Sequence, residues 1–178
     1  MTAIATPERI IPTGTWNVDP THSQVDFAVK HLGISTVRGT FSDFSATLEG
    51  GETPSLTGSI RLASVSTKDP DRDAHLSSPD FFDTERYPEA TFEATFISPE
   101  RLVGNFTLKG VTREIELVAS LTGPSTDPYG NERIGLELES EIDRTDYGVS
   151  FNMPLPTGGL ALGNTVKLLA SLSFVKEA

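Results

Sequence analysis

Residues 102–121 read LVGNFTLKGVTREIELVASL. Leu102, Gly104, Phe106 and Leu108 alternate with Asn105, Thr107 and Lys109. Beyond Lys109-Gly110, the residues Ile115, Leu117, Ala119 and Leu121 alternate with Glu114, Glu116 and Ser120. Successive side chains of a strand point to opposite faces, so a period of two marks strands with one dry and one wet face. Lys109-Gly110 between the two runs has the composition of a turn.

The same alternation recurs on both sides of this stretch. It places Val25, Phe27 and Val29 on one face, then Leu56, Gly58, Ile60 and Leu62, then Phe92, Ala94 and Phe96. Ile134, Leu136 and Leu138 follow, and the chain ends on Val166, Leu168, Ala170, Leu172 and Phe174. Val37 to Leu48 is a further strand whose phase slips between Phe41 and Phe44, which predicts a bulge near Ser42 and Asp43. One dry face per strand calls for antiparallel pairing around a single interior. The expected class is all-β. About eight strands close into a small barrel, either filled by side chains or holding one small ligand. Gly58, Ala94, Gly104 and Ala119 sit among the phenylalanines of the inward set. Small residues there leave a cavity or fit a taper.

Alternation stops between Ser64 and Pro88. Asp69-Pro70 reads as a helix N-cap and first helical position, and Ser78-Pro79 repeats that signal. Residues 70–83 are therefore expected to form a short helical segment across one barrel mouth. A second long connection, Asn152 to Gly163, is expected to be an ordered, irregular loop. Residues 1–13 read as a tail before one domain spanning 14–178.

The chain has 178 residues, a net charge of −11 and no cysteine. Its charge opposes binding to nucleic acid or electrostatic docking on anionic headgroups. The absence of cysteine removes disulfides and thiolate chemistry. Met1 to Gly14 lacks the cationic start and apolar run of a secretory signal, so a cytoplasmic location is expected. No stretch approaches the ~20 apolar residues of a membrane span, so no stable membrane insertion is expected.

Four segments resemble the YceI-like family, described as polyisoprenoid-binding proteins with a lipocalin-like barrel. They are WNVDPTHSQVDFAVKHLGISTVRGTF (Trp16 to Phe41), STKDPDRDAHLSSPDFFDTERYPEATF (Ser66 to Phe92), GNFTLKGVTREIEL (Gly104 to Leu117) and EIDRTDYGVS (Glu141 to Ser150). The resemblance implies an eight-stranded antiparallel barrel around an apolar channel. It also implies binding of a long isoprenoid, a quinone or another amphiphilic lipid, without established catalysis. Ser77 departs from the family, whose members often carry a basic residue there.

On that reading, the ligand-contacting set comprises Phe27, Val29, Phe41, Ile60, Leu62, His75, Phe81 and Phe82 on the first half of the chain. Phe92, Phe96, Phe106, Leu117, Leu138 and Leu168 complete it. His22, Arg72, Asp73 and Arg144 are the candidate polar groups at the mouth. Each also has a structural reading, in which it ties the lid and a neighbouring hairpin to the strands by hydrogen bonds or ion pairs. His22 and His31 are an odd number of residues apart and His75 is remote, so the spacing does not support a metal site. His75 lies near Asp73 and Ser77, but no GxSxG nucleophile elbow is present. No cofactor and no enzymatic activity are expected. The alternative is a stress-response or interaction module on a filled barrel. A homodimer is compatible with either.

Overall fold

The structure, a computed structural model, describes residues 11–178. The expected tail at residues 1–10 lies outside them. Its remaining residues are not loose: Ile11 is 0% exposed and packs in the core.

The barrel has eight staves, three of them broken into two strands. β1 (Thr15–Val18) and β2 (Gln24–His31) lie end to end against β11 (Leu162–Lys176). Between them the Asp19 carboxylate accepts from the Thr21 N–H and caps a single 3-10 turn, Pro20–His22. β3 (Ser35–Phe41) and β4 (Phe44–Glu49) form the second stave, interrupted at Ser42 and Asp43 where the sequence phase slips. β5 (Ser55–Arg61) and β6 (Val65–Ser66) form the third. β7 (Glu89–Ser98), β8 (Arg101–Leu108), β9 (Val111–Thr126) and β10 (Glu132–Asp143) complete the ring. All pairings are antiparallel, and β11 closes the sheet by bonding β10 on one side and β1 and β2 on the other.

Local chemistry accounts for the turns. Lys109 and Gly110 both have positive φ and join β8 to β9 as a two-residue loop. That geometry matches the right-handed twist of the flanking strands. Helix α1 (Pro70–Ser77) begins where Asp69 accepts from the N–H groups of Asp71 and Arg72, with Pro70 at the first helical position. It leaves the barrel between β6 and β7, which do not pair.

The interior divides by height. At the closed end Trp16, Leu48, Phe96, Leu102, Leu136, Ile134 and Phe174 pack into one buried cluster. Ala94 and Ala119 fit this tapering end, and Gly104 admits close strand approach. A Cβ at Gly104 would stand 2.0 Å from the Glu93 carbonyl oxygen. At the lid end a second cluster gathers Phe27, Phe41, Leu62, Phe81, Phe106 and Tyr147. Gly58 faces this wider part with ordinary clearance around its would-be Cβ. The inward small residues therefore serve both purposes, at different heights.

An ionic cluster stitches the outside of the closing seam. Arg133 on β10 donates from Nε to Asp127 (2.7 Å) and from Nη1 to Asp19 (3.0 Å). Asp127 also accepts from the N–H groups of Tyr129 and Asn131. The Arg133 guanidinium and these N–H donors hold the Asp127 carboxyl down at about 2, from an ordinary 3.8. Hydrogen bonds from Thr21, Arg133 and His22 lower Asp19 as well.

Trp16 is fully buried, so Trp16→Ala should cost about 3–5 kcal/mol in chemical denaturation. Both aspartates are depressed in the folded state, so their contribution is complete above pH 3.8 and fades as pH falls toward 2. Titrating denaturation midpoints across that window should show the gap between wild type and Arg133→Gln narrowing as pH drops.

Candidate functional site

Residues 67–83 build the lid. Buried Thr67, just after β6, is gripped by two residues of α1. Its N–H and hydroxyl donate to Asp73 at 2.8 and 2.6 Å. Its hydroxyl and carbonyl oxygens accept from Arg72 Nε and Nη2, both at 2.7 Å. The helix is thereby fixed to the wall through one residue. Asp73 is spent on this clamp and does not line the interior. Arg72 does line it, and its Nη1 has no protein partner among the described residues.

Beyond the helix, the turn at Pro79 swings Phe81 and Phe82 inward together. Phe82 lies 6.1 Å from Phe41 between ring centroids, and Phe41 lies 5.5 Å from Phe27. On the other flank Phe81, His75 and Phe151 form a triangle with centroid distances of 4.9–5.3 Å. Such tilted and edge-on contacts are the favoured ring geometries. His75 Nε2 is 2.9 Å from Asp80 at the exposed rim, not beside Asp73.

These rings ring the opening of a cavity of about 420 Å³. Its walls come from the inward faces of the staves, including Val29, Ile60, Phe92, Phe106 and Leu168. Leu56, Leu117, Leu138 and Leu172 floor it above the closed-end core. From Leu172 to Leu162 along β11 the depth is roughly 25 Å, for ten residue steps of ~3.3 Å on staves tilted ~40°. The barrel is filled at one end and hollow at the other. The volume falls within the range of small-molecule sites, ~300–1,000 Å³.

The structure brings thirteen of the fourteen ligand-contacting candidates, His75 among them, to this cavity. Phe96 is the exception: it is packed into the filled end. Of the polar candidates, His22 is not at the mouth. It is exposed on the outer wall beside Asp19, because the break between β1 and β2 turns it outward. Lining residues outside the expected ligand-contacting set include Phe151, Val25, Leu76, Ile142, Leu162 and Val166. Val25 and Val166 share the inward phase of Phe27 and Leu168, so alternation held their signal. Phe151 lies in an irregular stretch where no periodicity could reveal it.

Arg144 follows β10 in a 3-10 turn and is 4% exposed, with no carboxylate in hydrogen-bond contact among the described residues. Its five donors are taken up by one segment instead. Nε donates to the Gly163 carbonyl at 2.8 Å, and Nη1 to those of Val149 (2.7 Å) and Phe151 (2.9 Å). Nη2 reaches the Leu162 carbonyl and Asn164 Oδ1. Burial lowers its pKa, opposed by the charge of Asp143. Arg144 thus laces the 149–163 loop to the barrel rim through carbonyls rather than ion pairs. With its donors saturated, it has none to offer a ligand.

Among the described residues no group of His, Cys, Asp or Glu is arranged to hold a metal, and no helix is long and apolar enough to cross a membrane.

Replacing Arg144 with Met leaves several loop carbonyls without their donor. A stability loss of about 3 kcal/mol is expected. Amide exchange should accelerate across residues 149–163 and stay unchanged in β8 and β9.

A model of the YceI-like domain matches residues 16–174. A UPF0312 protein of Staphylococcus aureus strain N315 is 38% identical over 161 residues, covering 88% of this chain and 94% of its own. The crystal structure of a Campylobacter jejuni YCEI protein superposes with a TM-score of 0.68 at 30% identity, over 84% of this chain and 90% of that one. A polyisoprenoid binding domain from Saccharophagus degradans, implicated in plant cell wall breakdown, has the same fold. Its TM-score is 0.71 at 18% identity, over 91% and 98% of the two chains.

Proposed function

This chain belongs to the YceI-like family, and from that premise we propose that it binds the apolar chain of an amphiphilic lipid, an isoprenoid or a prenyl quinone, as a non-catalytic carrier or buffer. The observation that carries the reading is the cavity, deep, apolar and open at the lid. The polyisoprenoid binding domain that shares the fold supports the choice of ligand class.

In this reading the tail lies along the barrel axis, from the aromatic mouth down to the leucine floor. Transfer from water stabilises a buried chain by roughly 0.8 kcal/mol per CH2-sized group. That term does not select the ligand, because a bilayer offers the same apolar surroundings. Selection rests on shape and on the head. Phe27, Phe41, Phe81 and Phe82 present rigid ring surfaces to the chain at the mouth. Nη1 of Arg72, without a partner among the described residues, and the ring of His75 are the polar groups at hand to meet a hydroxyl, carbonyl or carboxyl head.

Mass spectrometry of lipids extracted from the purified protein, and of protein equilibrated with prenyl lipids, tests this directly. Stoichiometric prenyl lipid is the expected result. A well-folded protein that repeatedly takes up none would sink the proposal. Gly58→Leu adds bulk at a cavity-lining position where a Cβ meets only ordinary van der Waals contacts. It should cut prenyl uptake roughly tenfold or more while changing stability by no more than about 1–3 kcal/mol.

A further inference from the structure

The mouth has two unlike lips. One is the lid, whose exposed outer face carries Asp69, Asp71 and Asp80. The other is made from the β2–β3 turn and the 152–161 loop. The Leu32 N–H donates to the Ala161 carbonyl at 2.7 Å, and the Ala161 N–H to the Met153 carbonyl at 2.9 Å. His31 pairs with Leu162, and Pro154 bridges Leu160. The two segments therefore form one continuous rim. His31, Met153, Ala161 and Leu162 face the cavity from it.

This second lip exposes large apolar side chains. Ile34 is 84% exposed, Met153 60%, Leu160 56% and Leu32 42%. Scattered apolar residues on a surface need no explanation, but a contiguous group at a cavity mouth marks an interaction site. Leu32 adds a second observation. It sits at φ +57 with Gly33 at φ +67, so both central residues of the turn are left-handed. Asn or Asp is the residue suited to that first position, and a bulky one is strained there. The turn geometry therefore does not account for an exposed leucine at this position.

Charge identifies the occupant. The chain has 25 Asp and Glu residues and a net charge of −11. None of the 25 falls within residues 27–42 or 148–176, the stretches that carry this lip. Their charged groups are cationic, with Lys30 and Arg38 exposed on the outer wall just behind the turn. Thr36 accepts from the Lys30 ammonium. An apolar edge backed by cations, in a strongly acidic protein, is complementary to a lipid bilayer: side chains enter the interface and the cations meet phosphate.

We infer that the lip formed by residues 31–35 and 152–161 docks reversibly on a bilayer surface, so that a lipid passes into the cavity without crossing water. This inference rests on the proposed lipid-binding role and names the surface from which that ligand is taken. It also refines the expectation drawn from net charge: the stretches that carry this lip hold no carboxylate, and only this lip, not the acidic lid facing it, meets the membrane.

The test uses the intact protein and a double variant, Ile34→Asp with Leu160→Asp, both positions being outside the cavity lining. Flotation with phosphatidylcholine vesicles containing phosphatidylglycerol measures docking. Transfer of a fluorescent prenyl lipid from those vesicles measures delivery, and uptake of water-dispersed geraniol measures the cavity alone. The wild type should float with vesicles and the variant should not. Transfer should fall roughly tenfold or more for each large apolar side chain removed from the interface, with geraniol uptake unchanged. Equal flotation of both proteins, or none by the wild type, overturns the docking inference even if geraniol binds. Loss of geraniol uptake by the wild type overturns the lipid-binding reading instead, whatever the vesicles show. If light scattering finds a wild-type dimer that the variant splits, the lip is a self-interface and the docking inference falls.

Discussion

Everything in this molecule depends on the hydrogen-bonded seam along β11. That strand bonds β10 over eleven consecutive residue pairs, and on its other edge holds β2 and β1 in turn. Without the seam the sheet would be open, with two unpaired edges and a dry face in water. With it, the inward side chains enclose a volume, and the taper of the barrel decides what that volume holds. The Asp19–Arg133–Asp127 cluster fastens the outside of the seam at the closed end. Trp16 and Phe174 fasten it from within.

The two barrel ends are built by different means. The closed end is solved by packing alone, with Ala94 and Ala119 fitted among leucines and aromatic rings. At the lid end polar chemistry positions apolar surface. Asp73 and Arg72 clamp α1 through Thr67, and Arg144 laces the opposite loop to the rim. Neither clamp is an ion pair. Each satisfies backbone and hydroxyl groups that would otherwise be buried without partners, so the charged residues of the mouth order its edges while the phenylalanines shape its opening.

Much of this was legible in the sequence because alternation is a local signal. The inward phase of Phe27, Ile60, Phe106 and Leu168 could be read directly, as could the Asp69-Pro70 helix start and the slip at Ser42. Alternation gives the face of Phe96 and not its height in the barrel, so its place in the filled end is not encoded locally. The outward position of His22 depends on the capped turn that interrupts its stave. Phe151 and the partners of Arg144 depend on contacts between irregular segments, which no periodicity encodes. The apolar lip was hidden for a related reason: it joins two turns that lie about 120 residues apart in sequence and touch only once the barrel has closed.

The lid end is proposed to hold an apolar chain along the barrel axis. The most direct measurement is a crystal structure of the protein equilibrated with geranylgeraniol. Continuous chain density from the Phe81–Phe82 mouth to the floor at Leu117 and Leu138 is the predicted result. A cavity occupied only by repacked side chains or ordered water, with the lipid absent or bound on the outside, would contradict it.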